Sequence, residues 1–556
     1  MLKDADLSSD TVSTLVDDEG NPVLANDGSK VTSQCIMCRS NVKDAMLNST
    51  HWNWRNTAQD RKAIVTSNDP DVADSTEIGK ENVINNFCIA IRGNWQRCTT
   101  CHTGCGWGCG WGAGGSGEYD FTNASNIDCL SCHAAKDSGY KKTFKNTKGP
   151  QVAPSIDLNK AAVSAGKSTR ESCGGCHFNA GGGSNVKLMG QFLANPTIES
   201  DAHMGGETGM VCADCHYSGS HNIKGVGVYL PGGSDRVLCQ DCHSVATGFT
   251  HNNNSFIDKH IKKLACETCH IPSFARTTPN KTWWDWSYTG NRSRGTNNGS
   301  GHYFAFGNAV DARTGEYDEN TNVKTYFEKK GVFGWEHHKR PTYAWFDGNS
   351  DRMTVNSTFA QGLGTELEPV VLGRPNADIN TVGAKIYPFK VMNARQPLDP
   401  VRGKALLGQL FYGNGLWGNI PTEEAWTEAG CDDKAAADCD LMKDLWTAKL
   451  NLGSFIGGQS PENYFTGMAE YPADCTWDVA RHKADSSIPL CDAAPVDAVT
   501  GQWVWGYTEL WMNMNHEITK SEVLMCGDCH GNVGFDYCAL GYPTTNPADP
   551  EAATCN

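Results

Sequence analysis

Leu, Ile, Val and Phe are sparse for a chain of 556 residues, glycine is plentiful at 59, and mean hydropathy is −0.47. Side chains of this kind cannot fill several conventional cores. No apolar run approaches the roughly 18 residues of a membrane-crossing helix, so no transmembrane segment is expected. The opening MLKDADLSSD lacks the apolar stretch of a secretory leader. Excess positive charge is missing too: 47 Lys and Arg stand against 63 Asp and Glu, a formal charge of −16. That balance argues against nucleic acid or an anionic membrane surface as a partner.

Cysteine, by contrast, is abundant, with 25 residues beside 17 histidines. Cys-x-x-Cys-His occurs seven times: Cys98/Cys101/His102, Cys129/Cys132/His133, Cys173/Cys176/His177, Cys212/Cys215/His216, Cys239/Cys242/His243, Cys266/Cys269/His270 and Cys526/Cys529/His530. Random placement would give roughly 0.03 such strings. The spacing lets two thiols bond the vinyl groups on one edge of a haem while the next imidazole turns onto the iron, which is c-type haem attachment. Zinc and disulfides are the competing readings, but zinc needs two cysteine pairs per ion and no histidine directly after each. An eighth pair, Cys35 and Cys38 in CIMCRS, has Arg39 where the histidine belongs. A protonated guanidinium cannot ligate iron, so a haem held there by two thioethers takes its axial ligands from elsewhere in the chain.

Flat apolar macrocycles then supply the missing interior. The expected fold is mainly α with much irregular loop and little β, built around stacked haems. Because haem c is attached outside the cytoplasm, a periplasmic or extracellular protein is expected, its leader outside this numbering. Eight of the other nine cysteines form local couples, 105/109, 431/439, 475/491 and 538/555, as disulfides in an oxidising compartment would. Cys88 is left over. TGCGWGCGWG reads as a Gly-rich loop pinned by a short disulfide in preference to a metal site.

The chain divides unevenly. Residues 1–34 form a polar arm, and 35–270 are haem-dense, holding seven of the eight cysteine pairs. Residues 271–525 read as loop and helix that supply distal ligands, with 526–556 as last site and tail. Loop is expected over 291–322, a helix over about 421–450 with Pro421 at its start, and another from about 516 into Cys526.

Several strings carry a more specific likeness: HWNW at 51, NNFCIAI at 85, RCTTCH at 97, NIDCLSCH at 126, SCGGCHFNAGG at 172, DAHMG at 201, HNI at 221, ACETCHIPSFAR at 265, WDWS at 284, MNHEI at 514 and MCGDCHG at 525. In this order the chain resembles the octahaem tetrathionate reductase family, related in haem arrangement to hydroxylamine oxidoreductases. The resemblance spans about 35–550 and assigns Cys35 and Cys38 to the first of eight haems. Low-spin haems also need distal ligands, for which histidine is the usual donor. His51, His203, His221, His251, His260 and His516 lie in or near the family-like strings and are the prime candidates. His302, His337 and His338 compete for what remains, and His482 reads as a bystander.

By resemblance, catalysis is expected at the second haem, on Cys98 and Cys101, with a lysine ligand, since a buried lysine can lose its proton and bind iron. Lys141 and Lys142 are the candidates, Lys136 a weaker one, against the plain reading of a solvated basic turn. Asp120 and Cys88 could line that pocket as proton donor and thiol. Two functions follow. One is a multihaem reductase of a small sulfur or nitrogen oxyanion such as tetrathionate, nitrite or hydroxylamine. The other is an electron conduit with every haem bis-histidine, built from further copies of itself into an oligomer or extracellular filament. Redox proteins are the expected partners of either.

Overall fold

In this computed structural model the described residues are 31–32, 35–37, 39–47, 49, 51–52, 83–87, 94, 98, 101, 123–145, 149–152, 155–179, 181–216, 221, 223–225, 237–243, 251, 255–290, 296–297, 303–306, 323–354, 357–360, 362–400, 403–408, 410–411, 415–431, 438–455, 503–531 and 535–555. Among the described residues up to about 270, short helices are joined by irregular chain and one hairpin. That hairpin pairs β1 (Lys142–Lys145) with β2 (Gly149–Val152).

Beyond residue 270 the expectation of little β fails. Eleven strands make one mixed sheet: β3 (Asn280–Asp285), β4 (Thr296–Asn297), β5 (Tyr303–Phe306), β6 (Val323–Phe327), β7 (Gly331–Glu336), β8 (Thr342–Phe346), β9 (Ser350–Arg352), β10 (Val370–Pro375), β11 (Lys385–Asp399), β12 (Lys404–Ala405) and β13 (Val504–Asn513). Their order is β4-β5-β6-β7-β3-β11-β13-β10-β9, with β8 and β12 on the ends of β11. The β3·β11 and β10·β13 pairs are parallel, and the other pairs are antiparallel. The chain is therefore not mainly α: a large sheet accompanies the short helices that carry the cysteine motifs. Aromatic residues are the physical cause. NKTWWD, GVFGWE, TYAWF and VWGYTELWMN place large flat side chains at strand positions, where they pack on a pleated surface.

These aromatics also make a conventional core, despite the low aliphatic content. Trp284 stacks on Trp286 at 4.6 Å, Trp286 meets Trp446 at 6.3 Å, and Trp446 meets Trp505 at 5.1 Å. At the centre runs β11, buried along most of its length, with Lys390 fully buried inside it. The Lys390 Nζ donates to Val186 O and Asn280 Oδ1. Burial pushes this amine well below its ordinary value; Lys339 adds to the push, and Glu336 and Glu517 oppose it.

Three local expectations also change. The helix expected over 421–450 is two helices, Glu423–Glu428 and Asp440–Phe455, flanking the disulfide Cys431–Cys439. Thr422 caps the first by accepting from the Ala425 N–H. From 516 to 525 the backbone is irregular and the helix is only Cys526–His530. Inside the expected loop at 291–322 lie β4 and β5. The disulfide Cys538–Cys555 is formed as its spacing suggests, while the 105/109 and 475/491 couples fall outside the described residues. Among the described residues no helix is long and apolar enough to cross a membrane.

Candidate functional site

Six of the cysteine motifs lie on a short helical segment, which brings the two thiols to one side. The segments are Leu130–His133, Arg170–His177, Cys212–Cys215, Cys239–Asp241, Cys266–His270 and Cys526–His530. In three motifs the residue before the second cysteine is Asp, and it closes the turn from within. Asp214 accepts the Val211 N–H at 2.8 Å, Asp241 the Leu238 N–H at 3.1 Å and Asp528 the Met525 N–H at 2.7 Å. Such a bond satisfies an otherwise orphaned group at the helix start.

Six motif histidines each face one other histidine. Ring centroids are 6.2 Å apart for His177 and His51, 5.8 Å for His133 and His221, and 5.9 Å for His243 and His203. They are 6.3 Å apart for His216 and His516, 6.1 Å for His270 and His251, and 5.9 Å for His530 and His260. Imidazoles in direct contact would sit closer, as His337 and His338 do at 4.4 Å. Two bonds of about 2 Å to a shared metal, plus the reach from ring nitrogen to ring centre, require roughly 6 Å. The residues present therefore fit a bis-histidine iron at six places.

Ring orientation agrees. Nδ1–H of His133 donates to Gly166 O at 2.7 Å, that of His216 to Lys224 O at 2.8 Å, and that of His270 to Thr519 O at 2.9 Å. On the opposite side His260 donates to Phe256 O at 2.7 Å. A carbonyl only accepts, so Nδ1 carries the proton and Nε2 is left with its lone pair for a metal. Burial, with His216 opposite, pushes His516 down to about 4, which keeps it neutral as a ligand must be.

Thiols of neighbouring motifs touch. Cys35 lies close enough to Cys129 to perturb its thiol, as does Cys101 to Cys176, Cys212 to Cys173 and Cys266 to Cys239. Cys215 lies near Cys242 and Cys529 near Cys269. Cys132 acts on Cys173 and Cys176, so the sites follow one another in the order Cys35, Cys129, Cys173, Cys212, Cys239, Cys266, Cys526, and the Cys98/Cys101 site branches off at Cys176.

Beside that branch lies Lys142. Its side chain is 4% exposed, its Nζ is 3.2 Å from Asp128 Oδ2, and the buried Asp128 also accepts the Tyr140 hydroxyl at 2.9 Å. Lys142 acts electrostatically on both Cys132 and Cys176. Lys141 is exposed, and Lys136 reaches only Glu171 at the surface. Cys38, Cys88, His102, Asp120, His302 and His482 lie outside the described residues. Arg39 is exposed and close enough to His221 to lower its basicity, behind burial and His133. His337 and His338 meet edge to face after β7.

Sequence reasoning missed Asp128, Asp201 and Glu517. All three are buried carboxylates within two residues of a motif cysteine or a facing histidine in the quoted strings NIDCLSCH, DAHMG and MNHEI. An acidic residue buried next to a ligand is the signal that could have found them.

Comparison with known proteins relates the chain to cytochromes c. The family model "Cytochrome c bacterial" matches residues 281–442. An uncharacterized protein of Archaeoglobus fulgidus is 32% identical over 114 residues, 18% of this chain and 38% of that relative, so the chain matches well under half of its length. The crystal structure of an octahaem cytochrome c from Shewanella oneidensis superposes with a TM-score of 0.67 at 26% identity, covering 99% of both chains.

Proposed function

We propose that the chain is a member of the octahaem cytochrome c family whose line of bis-histidine sites feeds electrons to one lysine-supplied site, where a small sulfur or nitrogen oxyanion is reduced. Electron transfer through covalently bound haem c is the family's shared chemistry. Bound haem supplies one-electron carriers and, where an axial position stays open, an iron that can take a substrate.

The chain's own residues account for the rest. Seven complete motifs and Cys35/Cys38 would hold eight haems, the first of them without a histidine from its own motif. The pairs 51/177, 221/133, 516/216, 203/243, 251/270 and 260/530 would fill both axial positions of six. The observation that carries the reductase reading is Lys142: an amine 4% exposed, beside Cys132 and Cys176, the latter next to Cys101 of the second site, with no hydrogen bond beyond its Asp128 ion pair among the described residues. Of the three lysines considered it alone could reach the Cys98/Cys101 iron. Asp128, held by Tyr140 and by the Ser131 N–H at 3.1 Å, would orient it. Attachment of haem c outside the cytoplasm supports a periplasmic or extracellular location.

Ferric electron paramagnetic resonance tests this. The expected spectrum holds one high-spin haem per chain that shifts on adding nitrite or cyanide. In Lys142→Met that signal changes and nitrite reduction falls at least about tenfold. A wholly low-spin spectrum, unresponsive to either anion, would instead establish an electron conduit.

A further inference from the structure

The six facing pairs are not held independently. Asp201 is 2% exposed and its carboxylate accepts four backbone N–H bonds. Oδ1 takes those of His203 at 2.9 Å and Met204 at 3.0 Å. Oδ2 takes those of Glu517 at 3.0 Å and Ile518 at 3.2 Å, 316 and 317 residues away in sequence. Ala202 N–H adds a bond to Ile518 O at 2.8 Å. One carboxylate therefore ties the turn that presents His203 to the segment that presents His516. Those two histidines face His243 and His216, whose motifs are neighbours through Cys215 and Cys242.

An Asx turn at 201–204 would account for Oδ1 alone. It gives no reason for Oδ2 to reach across to the segment that carries the other histidine. Hydrogen bonds to an ionised acceptor are roughly twice as strong as neutral ones, and buried N–H groups that lose their acceptor must find another. Glu517 extends the tie by accepting the Ala275 and Arg276 N–H groups at 3.1 Å each. Arg276 in turn donates to Ser200 O at 3.2 Å, next to Asp201.

The geometry points to Asp201 as a positioning residue shared by two haems, setting the distal histidines of the Cys212/Cys215 and Cys239/Cys242 sites together. The inference rests on the reading of His203 and His516 as distal ligands, and the two are separable by experiment. Full-length holoprotein is prepared with Asp201→Ala, Asp201→Asn, His203→Ala, His516→Ala and, as a surface control, Glu199→Gln. Haem content is measured by pyridine haemochrome and the low-spin count by electron paramagnetic resonance and near-infrared magnetic circular dichroism.

With haem content unchanged, Asp201→Ala should remove two haems from the low-spin count, the same two that His203→Ala and His516→Ala remove singly. Asp201→Asn keeps one accepting oxygen and turns an N–H₂ towards the other segment, so it should remove one. A carboxylate that merely stabilises the fold would lower the unfolding midpoint and leave the count alone. Asp201→Ala with every haem still low-spin, or with a change at a single haem, overturns the proposal. Should that variant fail to accumulate, Asp201→Asn decides: one altered haem supports the shared role and none overturns it. If the two histidine variants also leave the count unchanged, the ligand reading falls with it.

Discussion

At the level of single residues, the attachment sites were open to inspection because their chemistry is local. Two thiols and an imidazole within five residues are needed for one haem edge, so the motif is visible without any fold. Distal histidines are harder, since any of ten could serve, and the family-like strings narrowed them to the six that the structure brings to about 6 Å from a motif histidine. Each such pair should behave as a unit. In His260→Ala one haem, that on Cys526 and Cys529, is expected to leave the low-spin population while the others stay. A spectrum in which several haems change would mean that His260 supports more than His530. Lys142 shows the opposite limit: three lysines within seven residues are equivalent in sequence, and only folding buries one of them beside Asp128.

At the level of elements, the sheet was hidden by its own central strand. β11 reads KIYPFKVMNARQPLD, with Pro388, Lys390, Arg395 and Pro397 breaking every strand pattern. Proline argues against a central strand because it cannot donate to the ladder, yet both prolines sit opposite partners in it, Tyr343 and Trp505. The aromatic alternation of VWGYTELWMN was the available signal for its neighbour.

Two elements invite tests. Gly182, in the loop after His177, has φ +102° and lacks a Cβ that would lie 2.5 Å from the Trp284 ring. Gly182→Ala should cost about 1–3 kcal/mol, read as a lowered midpoint in urea; an unchanged midpoint would mean that the loop can move off the sheet. Lys390 gives a pH test. Its folded value lies below the unfolded lysine value of about 10.4, so unfolding takes up a proton between the two. Stability should therefore be lost as pH falls from about 10 towards neutrality, by at most about 1.4 kcal/mol per unit. Lys390→Met should lack that component. Parallel stability profiles for the two proteins between pH 7 and 10 would show that the amine stays charged, held by Glu336 and Glu517.

At the level of the whole molecule, the neighbouring thiols trace one line with a single branch, the arrangement expected if electrons hop from site to site and leave at the branch. The haem count tests the Cys35/Cys38 end of that line. Pyridine haemochrome should return eight equivalents per chain, falling to seven in Cys35→Ala/Cys38→Ala. Seven in both would mean that the pair next to Arg39 carries no haem.

Sequence alone determined the covalent chemistry, the oxidising character of the local cysteine couples that the fold then formed at 431/439 and 538/555, and the family likeness, because each rests on residues a few positions apart. Which histidine faces which, which lysine is buried, and the eleven-stranded sheet were decided only by tertiary structure. Those contacts join segments as distant as the 316 residues between Asp201 and Glu517, and no local spacing specifies the closure of so long a loop.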